Sequence, residues 1–133
     1  MTPEQKIKHL ILLKAAQWSG SPIEVEVTAE NIDELYDEAY ENDGGYLQDA
    51  RHEIREGEAE TSLPCPSSRH YESTAVAAKY LDGSWIGWTH WYGGGKHGEP
   101  EAIDWMDDAY DLTCKEEEKL VIVRTFAKVD QVE

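Results

Sequence analysis

Apolar residues recur every three or four positions through the first half of the chain and largely every second position through the second half. Helices are therefore expected first and strands afterwards. Thr2-Pro3-Glu4-Gln5 reads as a capping box with proline at the first helical position. Ile7, Leu10, Ile11, Lys14, Ala15 and Trp18 follow at helical spacing, the Lys14 stem lying along the apolar row, and Gly20 ends the helix. Ile23-Glu24-Val25-Glu26-Val27 alternates strictly, which predicts a short half-buried strand. A second helix is expected after Thr28 as N-cap, with Ile32, Leu35, Tyr36, Ala39 and Tyr40 inward and a stop at Asn42-Asp43-Gly44-Gly45. A third, from about Tyr46 to Glu56, turns Leu47, Ala50 and Ile54 inward. Residues 57–68, with Pro64 and Pro66 around Cys65, read as an irregular connector.

The second half reads as β. Segments 69–80 and 85–92 flank Leu81-Asp82-Gly83-Ser84, where Asp-Gly signals a hairpin. Two further strands are expected near 109–114 and 120–129, around a charged turn Lys115-Glu116-Glu117-Glu118-Lys119. In the last of these, Val121, Val123, Ala127 and Val129 share one face, and Leu120, Ile122 and Phe126 the other. Helices gathered before strands joined by short links predict a single α+β domain over residues 1–133. Its N-terminal helices would pack on an antiparallel β-meander of about four strands. Within it, 85–92 holds three of the five tryptophans, with Ile86, Trp88, His90 and Tyr92 on one face and Trp85, Thr89 and Trp91 on the other.

Charge changes this picture more than composition does. The formal net charge of −16 is concentrated in two stretches. Residues 24–60 hold 14 acids against Arg51 and Arg55, and residues 99–118 hold 9 acids against Lys115. Such a surface argues against direct nucleic-acid binding, which runs on lysine and arginine, and against anionic membranes. Two cysteines, Cys65 and Cys114, are too few for a disulfide framework and read as thiols of a reducing compartment. Lys6, Lys8 and His9 precede only a short apolar run, and no stretch approaches a membrane span, so a cytoplasmic location is expected.

On a helical wheel, Glu30, Asp33, Glu34, Asp37, Glu38 and Glu41 fall opposite the apolar stripe, with no lysine or arginine between them. The i,i+4 pairs 30–34, 33–37, 34–38 and 37–41 and the i,i+3 pairs 30–33, 34–37 and 38–41 are all like-charged. Together they cost about 1.5–3.5 kcal/mol. A helix selected only for solubility usually mixes both signs. The stripe therefore has two readings, a solvated face or a surface presenting carboxylates to a basic partner. If a short helix starts at Glu99-Pro100-Glu101, Trp105 would stand among Glu101, Asp104 and Asp108 as an exposed interface anchor. If that segment is extended, Trp105 joins the core.

Gly93-Gly94-Gly95-Lys96-His97-Gly98 lacks the Walker spacing, because His97 follows Lys96 where serine or threonine is required. A different site is conceivable there, a ligand pocket formed by Trp88, His90, Tyr92, Lys96 and His97, with a mobile hairpin-end loop as the plainer reading. His52, Cys65, His70, His90, His97 and Cys114 show no metal-ligand spacing, and no cofactor motif is present.

The stretch Trp91-Tyr92-Gly93-Gly94-Gly95-Lys96-His97-Gly98-Glu99-Pro100-Glu101-Ala102-Ile103-Asp104-Trp105, with Lys115-Glu116-Glu117-Glu118-Lys119 and its strand, resembles small proteins encoded by enterobacterial phages and prophages. The resemblance covers the C-terminal half. It implies an accessory protein of the host cytoplasm rather than a virion component. The expectation is a binding protein rather than an enzyme, engaging a basic host protein through its carboxylate-rich helices. The alternative is a small enzyme or receptor using the hairpin pocket, and a homodimer seamed at the aromatic strand is a third arrangement.

Overall fold

The computed structural model describes residues 1–42 and 44–130; Asp43, in the expected stop of the second helix, lies outside the described residues. Helix α1 (Pro3–Ser19) opens at the capping box. Thr2 Oγ1 accepts the Gln5 amide at 3.2 Å and Gln5 Oε1 accepts the Thr2 amide at 2.9 Å. Gly20 closes the helix in the left-handed conformation and donates to the Ala16 carbonyl. Ile7, His9, Ile11 and Leu12 form its buried face, whereas Trp18 stays exposed beneath the Lys14 ammonium.

Helix α2 (Ile32–Glu41) starts later than Thr28 alone suggests. Asn31 Oδ1 accepts the Thr28 amide at 2.7 Å, and Thr28 Oγ1 accepts the Asn31 amide at 3.3 Å. This reciprocal pair holds residues 29–31 in a turn, so Glu30 precedes the helix instead of belonging to it. Helix α3 (Tyr46–Arg55) buries Leu47 and Ala50 as its spacing predicts. Residues 23–27 form no strand. No sheet edge is paired with them, Asn31 Nδ2 binds the Glu26 carbonyl, and only Ile23 and Val27 pack on the core while Val25 faces out.

The sheet comprises β1 (Ala59–Glu60), β2 (Glu72–Lys79), β3 (Trp85–Tyr92) and β4 (Tyr110–Leu112), antiparallel throughout and in spatial order β1-β2-β3-β4. The chain is thus α+β, with helices preceding an antiparallel meander. The four strands are not the expected four. The connector contributes β1, where Glu58 N and Thr61 N bond the β2 carbonyls of Ala77 and Ala75. Residues 120–129 contribute none. At the β2–β3 hairpin, Asp82 Oδ1 accepts both the amide and the hydroxyl of Ser84, and Gly83 supplies the positive φ of 88°. The register Val76↔Trp88 and Ala78↔Ile86 puts these four on the helix side, where they join Ile7, Ile11, Ile32, Leu47 and Trp105 in one core.

His9 is the polar member of this buried surface, its Nδ1 2.7 Å from the Tyr80 hydroxyl oxygen. Burial holds its pKa below the ordinary histidine value. Between the two values the unfolded chain binds more protons than the folded one, so stability is lost as pH falls from about 6.5 down through the lower folded value. His9→Gln keeps a polar side chain without the titration. Its urea midpoint is expected to gain on wild type between pH 7.5 and pH 5.5, a comparison that cancels the carboxylates common to both. A difference independent of pH would show equal protonation of His9 in both states.

Candidate functional site: an acidic cleft between the helices and the 104–107 loop

Glu34, Asp37, Glu38 and Glu41 lie exposed on α2, and Glu30 is exposed on the preceding turn. Asp33 is the exception to an unpaired stripe. Lys8 of α1 reaches it at 2.9 Å, Gln5 Nε2 adds a bond at 3.2 Å, and Lys8 lies 3.8 Å from Glu4. The hydrogen bond from Lys8 holds the Asp33 carboxyl below its usual pKa. For Lys8, burial opposes the charge, but Asp33, Glu4 and Asp37 together raise its pKa overall. Asp33 is therefore committed to tying α1 to α2, the one ion pair that the stripe makes among the described residues.

One turn further along, α2 borders a cleft of about 430 Å³ lined by Glu4, Lys8, Tyr36, Asp37, Tyr40, Arg51, Asp104, Met106 and Asp107. Four carboxylates against Lys8 and Arg51 give the lining a net charge of −2. Tyr36 and Tyr40 stack with ring centroids 6.5 Å apart, and the Lys8 ammonium already lies 5.5 Å from the Tyr36 ring centre. An aromatic wall flanked by carboxylates suits a cationic side chain. The fold thus brings Asp37, from the first acidic stretch, beside Asp104 and Asp107, from the second. Sequence reasoning did not single out Asp107 or Glu4; the signal for Asp107 was its place two residues after Trp105.

Trp105 is not an exposed anchor. The helix expected after Glu99 is a single 3-10 turn, Pro100–Ala102, and the chain becomes extended at Ile103. Trp105 then drops into the core at 2% exposure. Its ring lies 5.4 Å from Trp88, and the Arg51 guanidinium packs 5.9 Å from its centroid. Its role is positional, pinning the loop that carries Asp104 and Asp107. Among the described residues, Trp105 Nε1 and Arg51 Nε are buried without hydrogen-bond partners.

The alternative pocket does not assemble as a unit. Trp88 is fully buried, and its Nε1 donates to the Arg55 carbonyl at 2.9 Å. His90 stacks on Tyr92 at 5.6 Å, and both line a different cleft of about 400 Å³ with Glu56, Glu60, Thr74 and Val76. Burial and the nearby Arg55 lower the His90 pKa. Lys96 and His97 are exposed and line neither cleft. The glycine loop is closely packed: a Cβ on Gly94 would meet the Tyr71 ring and the Gly98 backbone, and Gly94 has a φ of +89°. Glycine is needed there for close approach.

Cys65 and Cys114 are both free thiols, and among the described residues no group of three or more His, Cys, Asp or Glu side chains is placed to hold a metal. Among the described residues, no helix is long and apolar enough to cross a membrane. Comparison with protein-family models, curated proteins and solved structures finds no match to this chain.

Proposed function

We propose that this chain is a small acidic binding protein of the bacterial cytoplasm that occupies a basic host protein, seating a lysine or arginine of that partner in the cleft beside Tyr36 and Tyr40. The observation that carries the reading is the convergence of carboxylates from two acidic stretches, distant in sequence, on one aromatic-walled cleft. Lys8 and Arg51 leave the lining with a net charge of −2, which a further cation would offset while adding contact with a ring face. The resemblance of the C-terminal half to phage and prophage proteins supports the host setting by analogy alone.

The test is capture from an enterobacterial lysate on the immobilised chain, with salt elution and mass spectrometry, followed by affinity measurement on the purified partner. The expected partner is basic. The combined variant Asp37→Asn, Asp104→Asn, Asp107→Asn should weaken it at least about tenfold, equivalent to roughly 1.4 kcal/mol. A partner held equally well by that variant would take the cleft out of the proposal.

A further inference from the structure

Beyond β4 the chain carries its most apolar exposed surface. Residues 113–130 have no regular secondary structure, and among the described residues their backbone makes no hydrogen bond to the body of the fold. Leu120, Val121, Ile122, Val123, Phe126 and Val129 are each at least 77% exposed. We infer that residues 119–129 are an exchange arm, which lies in the apolar groove on the outer face of a second copy's sheet while that copy's arm does the same in return.

The groove holds about 310 Å³ and runs across the sheet from Ala59 on β1, over Ala77 and Trp85, to Leu112 on β4, with Leu63 and Glu60 among its lining. Three strand spacings make that crossing about 14 Å, against roughly 33 Å for ten extended residues, so the arm is long enough. An extended arm turns only one of its two apolar sets to the groove, about three side chains of on the order of 100 Å² each, and the groove surface they cover is of similar area. Two reciprocal arms would then reach roughly the 1,200 Å² at which stable interfaces begin.

Charge selects the same occupant. The arm holds Lys119, Arg124 and Lys128 with no acid among residues 119–129, in a chain whose net charge is −16. Glu60 and Lys115 both line the groove, and Lys79 and Glu116 the surface adjoining it, so the attraction is between the basic arm and the acidic second copy as a whole. The link Lys115-Glu116-Glu117-Glu118-Lys119 has no glycine, proline, asparagine, aspartate or serine to reverse the chain. Lys115 pairs with Glu117 at 3.4 Å within the link. β4, three residues long, is also too short to template a ten-residue strand by hairpin return. The chain leaves β4 along the end of its own groove, which Thr113, Cys114 and Lys115 help to line, and nothing in the link turns residues 119–129 back over it, so they are placed to reach a second copy.

Light scattering on the full chain at tens of micromolar should report about 30 kDa, twice the 15.1 kDa chain. A chain ending at Glu118 and a full-length Leu63→Lys chain should each be monomeric with unchanged circular dichroism. Mixed together at several hundred micromolar, they should form a heterodimer weaker than the full-chain dimer, because one supplies the open groove and the other the arm and only half of the reciprocal contact is made. A monomeric full chain, a dimer that survives either change, or a mixture that stays monomeric would overturn the proposal. Should the truncated chain misfold, Arg124→Glu with Lys128→Glu in the full chain provides the test. At least tenfold weaker dimerisation supports exchange, and an unchanged dimer refutes it.

Discussion

Replacing Trp88 with alanine is expected to lower the unfolding free energy by about 3–5 kcal/mol, the range for deleting a fully buried large aromatic. Trp88 is 0% exposed and sits where the sheet, α3 and the 104–107 loop meet. Its removal opens a cavity on the helix side of β3 and strips Trp105 of its ring neighbour at 5.4 Å. It also leaves the Arg55 carbonyl, at the end of α3, without the indole N–H that it accepts at 2.9 Å. The transfer loss, the cavity and the orphaned acceptor all act in one direction. Against a total stability of roughly 5–15 kcal/mol for a domain, such a variant approaches the limit of folding. Trp85→Ala, on the partly exposed groove face, should cost much less. Urea unfolding of both variants by circular dichroism makes the comparison. A Trp88→Ala chain within about 1 kcal/mol of wild type would contradict the core assignment, since a buried tryptophan cannot be deleted that cheaply.

The residues around Trp88 also show which signals the sequence carries. Strand β3 and its hairpin were legible because alternation and Asp-Gly turn chemistry are local and agree with each other. The caps of α1 were legible for the same reason. Trp105 was ambiguous because its fate depends on whether Pro100 starts a full helix or a single turn, and that is decided by a partner, Trp88, distant in sequence. The alternation in 23–27 and 120–129 was real but insufficient. A strand needs a partner edge, and neither segment pairs with the open edges of β1 or β4 in the chain as folded. The acidic cleft was half legible: periodicity aligned Asp37 on one face of α2, but only packing brings Asp104 and Asp107 opposite it. His9 gave no sequence signal at all, since its burial follows from where Tyr80 ends up.

Neutralising the α2 stripe apart from Asp33 should move stability and association in opposite directions. With Glu30 outside the helix, the like-charged neighbours that remain are 33–37, 34–38 and 37–41 at i,i+4, and 34–37 and 38–41 at i,i+3. These five pairs cost about 1–2.5 kcal/mol, less than the seven expected from sequence. Glu38 and Glu41 also face the negative end of the helix dipole, and no basic residue lies in the last turn to offset them. The combined variant Glu34→Gln, Asp37→Asn, Glu38→Gln, Glu41→Gln removes all five pairs and spares Asp33, which Lys8 holds at 2.9 Å. It should therefore unfold at higher urea, with a gain of about 1–2 kcal/mol. The same change removes the field that draws a basic partner in. Association should slow by about tenfold or more at low salt, with a smaller difference at physiological salt, where the screening length is near 8 Å. Stopped-flow or surface-capture kinetics on the partner identified by lysate capture would read the rate, and urea unfolding the stability. A firmer helix with slower association identifies a surface that gives up stability for recognition. A firmer helix with the same association rate would make the stripe, Asp37 included, ordinary solvated surface and leave Asp104 and Asp107 of the cleft to account for binding.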